Sequence, residues 1–196
     1  MWWCDELTSM FTLGDSHIDT GNALIIAAPV MPIWTDKPPY GETFFGHPAG
    51  RFSDGRVIID FIAEEFGLPF LPAVLAKSSN VSQGVNFAVG GATAVEVGFL
   101  ERNNLVPFKL PNNSELGWFG FVGDVLKACC GAGGAYNWDP NAFCGMPGAA
   151  ACRNPSAYVS WDGVHYTEAA NRYIARGWLY LYGPYADPPI LTAVQH

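Results

Sequence analysis

A serine whose neighbours suit it for nucleophilic chemistry follows an apolar segment near the start of the chain. Residues 8–13 are rich in Phe, Thr and Leu, which predicts a short buried strand. Gly14 then permits a tight backbone, so we expect Asp15 and Ser16 at the carboxyl end of that strand. Ligands bind at this edge in open α/β sheets, where a serine can use nearby backbone amides to hold an oxyanion. An ordinary Asp-Ser turn or helix cap is the alternative.

An aspartate and a histidine near the other end of the chain could complete this chemistry. Asp162 and His165 are three positions apart, just before residues 167–181, which are predicted to form a helix. On one turn, the carboxylate can accept a hydrogen bond from one imidazole nitrogen while the other nitrogen faces a serine. The pattern is short, and a turn cap beside a half-buried ring would explain it alone. Together with Ser16 it favours a Ser-His-Asp triad.

Six blocks extend the pattern along the chain. They are FTLGDSHIDTGN (11–22), PPYGETFFG (38–46), GRFSDGR (50–56), NFAVGGAT (86–93), KACCG (127–131) and WDGVHYTEAA (161–170). In content and order they resemble the plant GDSL esterase/lipase family, a branch of the SGNH hydrolases. The resemblance implies an α/β protein with the flavodoxin-like, three-layer α/β/α SGNH hydrolase fold around a parallel sheet. We expect one domain, spanning residues 1–196.

The resemblance also implies an activity and a site. A member of this family is a serine hydrolase that cleaves carboxylic esters of small molecules or lipids through an acyl-enzyme, without a metal or a cofactor. Ser16 would be the nucleophile, His165 the general base and Asp162 its orienting partner. The backbone amides of Ser16 and Gly91 would form the oxyanion hole. Residues 84–89 are themselves predicted to be a strand that ends at Gly90 and Gly91, and a plain strand-to-helix turn is the alternative there.

Two departures from the family pattern stand out. His17 occupies a position where the family usually has leucine, and a packed or solvent-facing ring is favoured there over a second base. The family's Gly-x-Asn-Asp block, whose asparagine completes the oxyanion hole, has no counterpart, because the chain contains no Asn-Asp pair. Four other asparagines lack a matching context and are weak substitutes: Asn103, Asn104, Asn112 and Asn113.

The chain is also shorter than the family in its middle. It matches the first portion of the family up to about residue 119 and the last portion from residue 120, which predicts an internal junction near 119–120 with central strands and helices missing. Loss of an oxyanion donor lowers turnover by ~10²–10³-fold, and a parallel sheet needs elements on both faces. The alternative function is therefore a catalytically impaired or inactive truncated isoform, retained as a binding remnant.

Composition narrows the class of partner. The chain has 10 basic and 18 acidic residues, for a net charge of −8, so nucleic acids and anionic membrane surfaces are not expected partners. No apolar run reaches the length of a membrane span. The first residues have neither a basic start nor a long apolar stretch, so no secretory signal is predicted. An intracellular location is then expected, although the resembled family is typically secreted. The oligomeric state stays open.

The number and spacing of the cysteines fit a secreted ancestor better than an intracellular one. Four of the five cysteines lie in one glycine-rich stretch, at positions 129, 130, 144 and 152. Adjacent cysteines rarely bridge each other, so each of the first two is expected to pair with one of the last two. Disulfides are favoured over zinc because no Cys-x-x-Cys is present. Asn80-Val81-Ser82 and Asn112-Asn113-Ser114 are formal glycosylation sites.

Two helices are predicted with defined ends. Ser53 or Asp54 is expected to cap a helix that runs to about residue 66, with an apolar stripe at Val57, Ile58, Phe61, Ile62 and Phe66. The second helix is expected to begin at Thr167 and to bury Tyr173, Ile174, Trp178 and Leu181.

Overall fold

A small parallel sheet lies in the amino-terminal half of the chain. The structure is a computed structural model and describes residues 7–29, 32–77, 80–92, 126–139, 141–180 and 189–193. Strand β1, Met10–Thr12, pairs in parallel with β2, Gly84–Asn86, in a register that sets Met10 opposite Gly84. Both strands lie inside the predicted segments 8–13 and 84–89 and are shorter than predicted. The parallel pairing agrees with an α/β fold.

One face of β1 is open, contrary to the sequence prediction. Phe11 and Leu13 are 65% and 84% exposed, so the expectation of a buried strand is wrong for these two side chains. Residues two apart lie on the same face of a strand, and in the described part of the chain β1 has β2 as its partner strand. A sheet of two strands offers little surface on which this face could pack. Parallel sheets are normally covered on both faces.

The described residues include four α-helices that surround or follow the sheet. They are α1 (Asn22–Ala27), α2 (Ile58–Glu65), α3 (Glu168–Tyr180) and α4 (Ile190–Ala193). Single 3₁₀ turns lie at Trp34–Asp36, Ala135–Asn137 and Pro155–Ala157. None of the described helices is long and apolar enough to cross a bilayer.

Helices α2 and α3 pack against each other and form the main core. The predicted stripe of α2 is confirmed, since Val57, Ile58, Phe61 and Ile62 are buried and Phe66 packs beside them. The apolar stripe predicted for α3 is confirmed only in part. Ile174 and Trp178 are half-buried partners of this core, whereas the fully buried apolar positions are Ala170, Ala175 and Leu179. Small residues on α3 let the two helix backbones approach, and the large side chains then lie at the margin of the interface.

The expected cap of α2 serves a different helix. The Asp54 carboxylate accepts the backbone amide of Glu168 at 2.7 Å, at the first residue of α3. Helix α2 begins at Ile58, and its own Asp60 accepts the Val57 amide at 3.0 Å. The prediction that Ser53 or Asp54 caps α2 is therefore wrong. Asp60 reaches back to satisfy the amide preceding α2, so Asp54 is free to bind a helix that is distant in sequence.

Two disulfides close the glycine-rich stretch as predicted. Cys129 bonds to Cys152 and Cys130 to Cys144, and the short strands β3 (Cys130–Gly131) and β4 (Ala150–Ala151) pair antiparallel between them. Within the described ranges, no three metal-ligating side chains come together as a cation site. The predicted junction near 119–120, the four asparagines at 103, 104, 112 and 113, and Leu181 all lie outside the described residues.

Candidate active site

Ser16 and Gly91 lie at the same edge of the parallel sheet. The backbones stay paired beyond the strands, because the Phe87 amide donates to the Thr12 carbonyl at 2.9 Å and the Val89 amide to the Gly14 carbonyl at 3.1 Å. Ser16 is half-buried, two residues past one side of this ladder, and Gly91 is exposed two residues past the other. Gly91 has φ +85°, a conformation that favours glycine. The carboxyl ends of the two strands thus bring both predicted positions to one rim.

A buried carboxylate fixes this rim. Asp19 is fully buried, and its Oδ1 accepts the backbone amides of Gly21 and Asn22, each at 2.7 Å. Its Oδ2 accepts the amides of Ala23 at 2.9 Å and Gly90 at 2.7 Å. Three of these donors belong to the start of α1 and the fourth to the turn after β2. Asp19 was not among the predicted site residues, although an aspartate just before a Gly-Asn helix start is a recognisable capping signal.

Two buried asparagines continue the same network. The side-chain amide of Asn22 donates to the carbonyls of Asn86 at 2.8 Å and Ala88 at 2.9 Å. Asn86 in turn accepts the Ala88 amide at 2.7 Å and donates to the Ile18 carbonyl. These bonds give partners to the Ile18 and Ala88 carbonyls and a second donor to the Asn86 carbonyl, which also accepts the Val74 amide. The turn carrying Ser16 is therefore held by side chains as well as by its own backbone.

The second half of the site is a tight loop before α3. Ser160 and Tyr166 form an antiparallel bridge, and Gly163 turns the chain with φ +93°. Inside this loop Asp162 Oδ1 accepts the amides of Val164 at 3.0 Å and His165 at 2.8 Å. An aspartate that binds amides two and three positions ahead is typical of an Asx-type turn.

Asp162 and His165 form the hydrogen bond that the Asp-x-x-His pattern suggested. Asp162 Oδ2 lies 2.7 Å from His165 Nδ1, and the same oxygen accepts the Tyr40 hydroxyl at 2.7 Å. Burial by itself raises the pKa of the Asp162 carboxyl, but the His165 charge and the hydrogen bonds from His165 and Tyr40 outweigh that effect and bring the pKa to about 2. Asp162 is thus a carboxylate at neutral pH, and it orients the ring so that Nε2 is the nitrogen left for a substrate or a serine.

Aromatic contacts place His165 beside the sheet edge. The Phe52 ring packs on the His165 ring with centroids 4.7 Å apart, and a Cβ added at Gly90 would lie 2.6 Å from Phe52 Cε2. The ring of His17, next to Ser16 in the chain, is 5.9 Å from the His165 ring, centroid to centroid. Among the described residues the Ser16 hydroxyl makes no hydrogen bond to His165.

His17 is a packed, half-exposed ring with a carboxylate partner. Its Nδ1 lies 3.1 Å from Asp15 Oδ1, and its ring packs against that of Tyr166 with centroids 5.2 Å apart. Burial raises the pKa of Asp15, but hydrogen bonds from His17 and the charges of His17 and His165 together lower it below its ordinary value. The contacts of the His17 ring with the rings of His165 and Tyr166 show that the Ser16 turn and the Asp162 loop are neighbours.

Comparison with known proteins identifies the family of the chain. The sequence model of the GDSL-like lipase/acylhydrolase family matches residues 10–116, more than half of the chain. The chain is 30% identical to the GDSL esterase/lipase At1g28580 of Arabidopsis thaliana, with 95% of the chain and 87% of the relative covered. It is 26% identical to acetylajmalan esterase 2 of Rauvolfia serpentina, covering 86% of the chain and 88% of that protein. No solved structure matches the chain.

The alignments are longer than the chain itself. The match to At1g28580 spans 343 positions, whereas the chain has 196 residues. The same holds for the GDSL esterase/lipase At2g27360 of Arabidopsis thaliana, which is 29% identical over 344 positions. Within the aligned spans these relatives therefore contain long stretches that have no counterpart in the chain.

Proposed function

The chain belongs to the GDSL-like lipase/acylhydrolase family, and from that premise we propose that it hydrolyses carboxylic esters through an acyl-enzyme. Ser16 is the nucleophile, His165 the general base and Asp162 the residue that orients it. The observation that carries this proposal is the 2.7 Å contact between His165 Nδ1 and Asp162, on a ring that lies beside the turn containing Ser16. One imidazole nitrogen is occupied by a carboxylate, which is what a serine-activating base requires.

The mechanism follows from the placement of these groups. His165 Nε2 takes the proton of the Ser16 hydroxyl as its oxygen attacks the ester carbonyl, and Asp162 stabilises the imidazolium that forms. The backbone amides of Ser16 and Gly91, at one rim of the sheet, donate to the oxyanion of the tetrahedral intermediate. The alcohol leaves with the proton from His165. Water activated by the same imidazole then attacks the acyl-Ser16 ester and releases the acid.

The proposal extends to the fold and the substrate. The β1–β2 pair would be part of the three-layer SGNH arrangement, in a single domain spanning 1–196 with an internal junction near 119–120. Small-molecule or lipid esters are the substrate class, with no resident cofactor. One relative is named for an acetylated small molecule, so short acetyl esters are the first substrates to test.

A fluorophosphonate probe tests the nucleophile. We expect labelling of the wild-type chain and of Ser82→Ala, which removes an exposed hydroxyl elsewhere, but no labelling of Ser16→Ala. Hydrolysis of a nitrophenyl acetate should fall by roughly 10³-fold or more in Ser16→Ala, because a triad does not work without its nucleophile. Labelling that persists in Ser16→Ala, or no labelling of a wild-type sample that melts cooperatively, excludes the assignment.

A second candidate is an inactive or impaired remnant that binds rather than cleaves. Phe11, Leu13 and Phe87 are exposed around the two parallel strands that the structure describes, where a complete α/β fold has covering elements. The Asn-Asp pair is also absent from the sequence, and the relatives carry long additional stretches. This candidate predicts probe labelling or turnover at least ~10²-fold below that of an intact relative, consistent with a missing oxyanion donor.

Thermal melting tests, before any activity is measured, whether the chain has the fixed packing that catalysis requires. A single cooperative loss of near-ultraviolet circular dichroism, without binding of a hydrophobic dye below the transition, supports a packed site competent for catalysis. A broad transition together with dye binding at low temperature favours the remnant, because it shows that the open sheet face leaves the chain without fixed packing.

A further inference from the structure

The phenol of Tyr40 reaches the aspartate of the proposed triad from a distant part of the chain. Its hydroxyl donates to Asp162 Oδ2 at 2.7 Å across 122 positions of sequence, and the tyrosine is only 4% exposed. The ring meets Trp161 edge-on, with centroids 5.8 Å apart. The oxygen that receives this bond is the one that faces His165 Nδ1. A charge-assisted bond of this length is among the stronger contacts of the site.

Packing fixes the position of the phenol. Tyr40 belongs to a buried cluster with Trp161 and the disulfide-bonded cysteines, and a Cβ added at Gly145 would lie 3.6 Å from its ring. Its backbone amide donates to the Lys37 carbonyl at 3.1 Å. These contacts leave the Tyr40 ring little freedom to rotate, so its hydroxyl is held next to Asp162. Packing of this kind lets a supporting residue position a neighbouring side chain precisely.

The environment keeps Tyr40 a donor. Burial and the nearby Asp162 charge raise the pKa of the phenol well above its ordinary value. The hydroxyl thus stays protonated throughout the range in which an esterase works, and it has the carboxylate as its acceptor. Asp162 then has two donors on Oδ2, and two backbone amides on Oδ1.

We propose that Tyr40 is a positioning residue, which holds the Asp162 carboxylate in the orientation that presents Oδ2 to His165. The inference rests on the proposed ester hydrolysis for its effect on rate, and on the structure alone for its effect on the Asp162–His165 pair. Without the hydroxyl, Oδ2 keeps its full negative charge for the imidazole and loses one of its anchors. The lost anchor leaves the carboxylate less firmly oriented toward the ring. Its unshared charge holds the imidazolium proton more strongly.

Other groups near His165 set the background for a pH measurement. The Asp15 carboxylate and the His17 imidazole approach from the Ser16 turn, and Tyr166 lies next to His165 in the loop. Phe52 covers one ring face and carries no charge. None of these groups contacts the Tyr40 hydroxyl in the described residues, so a change that Tyr40→Phe produces can be assigned to Asp162.

The variant Tyr40→Phe removes the hydroxyl and keeps the ring. We expect kcat to fall about tenfold with KM changed less than twofold, since loss of a supporting hydrogen bond typically costs this much or more. The acid limb of kcat/KM should move to higher pH by several tenths of a unit, because an unshared carboxylate charge favours the imidazolium. Tyr158→Phe is the matched control: Tyr158 is half-buried beside the same cluster, and its hydroxyl does not reach Asp162.

A measurement that does not depend on turnover tests the role of Tyr40 separately from the proposed ester hydrolysis. The ring titration of His165, followed by NMR with labelled histidine and assigned with His165→Gln, should move to higher pH in Tyr40→Phe and stay in place in Tyr158→Phe. A 3-fluorotyrosine at position 40 donates more strongly and should move it to lower pH, and this variant also serves if Tyr40→Phe does not fold. An Asp162→Asn background should abolish both effects on the ring.

These outcomes decide between the two proposals. Shifts of opposite sign in the two Tyr40 variants support the positioning role even if the wild-type chain cleaves no ester, in which case only the proposed function fails. Equal titration curves for wild type, Tyr40→Phe and the fluorinated variant overturn the positioning role even if the chain is an active esterase. A shift in Tyr158→Phe as large as in Tyr40→Phe also overturns it.

Discussion

The Asp19 carboxylate accepts the backbone amide of Gly90 at 2.7 Å, across 71 positions of sequence. Through this bond the turn that follows β2 is attached to the start of α1, and Ser16 lies three residues before Asp19. The carboxylate is fully buried and has backbone amides as its four donors. Asp19 therefore connects the proposed nucleophile turn with the proposed oxyanion turn.

Replacing Asp19 with asparagine should destabilise the protein strongly. The new amide group would point an N–H at backbone N–H donors, so at least two buried amides would lose their acceptor. We expect a loss of about 3 kcal/mol in the free energy of unfolding, measured by denaturant titration. Asp36→Asn is the control, because Asp36 is exposed and pairs only with neighbouring Lys37 in the described structure, and it should change stability by less than about 0.5 kcal/mol. Similar losses in the two variants would contradict the role given to Asp19.

Stability should fall in acid partly through Asp162. Its pKa is about 2 in the folded protein, below the ordinary value of 3.8. The ionised carboxylate therefore stabilises the fold fully when the pH is above the pKa that Asp162 has in the unfolded chain. That contribution, about 2 kcal/mol, is lost as the pH falls from about 5 through 2. Asp162→Asn should flatten this part of the stability curve. An unchanged acid slope in Asp162→Asn would show that the carboxylate is not held as the structure indicates.

The disulfide between Cys130 and Cys144 should stabilise the loop that carries Asp162. The Cys130 amide donates to the Trp161 carbonyl at 2.7 Å, so the bridge is connected directly to that loop. Replacing both cysteines with alanine opens a link of sequence separation 14, which should lower the free energy of unfolding by about 3 kcal/mol. Denaturant titration measures the loss, and Cys4→Ala, which leaves both bridges in place, is the control. An unchanged midpoint in the double variant would contradict this expectation.

The two glycines after β2 should respond differently to alanine. A Cβ at Gly90 would lie 2.6 Å from the Phe52 ring and 3.1 Å from Ala23 Cβ, so Gly90→Ala should cost about 1–3 kcal/mol and displace the ring that packs on His165. Gly91→Ala meets no atom within 4 Å, and its φ of +85° costs about 1 kcal/mol.

Gly46→Ala is the control for Gly91, because Gly46 also has positive φ and open space around it. The two variants should lose similar stability, and only Gly91→Ala should lose esterase activity. Alanine keeps the backbone N–H, so the expected loss comes from displacement of this amide when φ moves away from +85°, and equal activity in both variants would contradict that expectation.

Local chemistry made several contacts at the proposed site predictable. An aspartate three residues before a histidine can bind its own turn and the ring, and the structure contains both contacts. Parallel strands carry their carboxyl ends to one edge, so Ser16 and the glycines after β2 could be expected there. The adjacent cysteines allowed only two sensible pairings, one of which is present. The family could be named because these blocks keep their order over the chain.

Other features depended on contacts between distant parts of the chain. Nothing in the sequence around Asp54 shows that it caps α3 rather than α2, since either helix start offers the same free amides. The Tyr40 hydroxyl could have met any of several acceptors. The exposure of Phe11 and Leu13 depends on which other elements pack on that face of the strand. The apolar pattern of the strand carries no information about those elements.

The sequence by itself determined the family, the chemical types at the proposed site and the disulfide choices, because each follows from side-chain chemistry and short-range backbone geometry. The tertiary structure decided which buried polar groups meet: Asp19 with Gly90, Asp54 with Glu168, and Tyr40 with Asp162. Those contacts bring together residues 71, 114 and 122 positions apart, and their partners are selected only when the whole chain packs and every buried donor needs an acceptor.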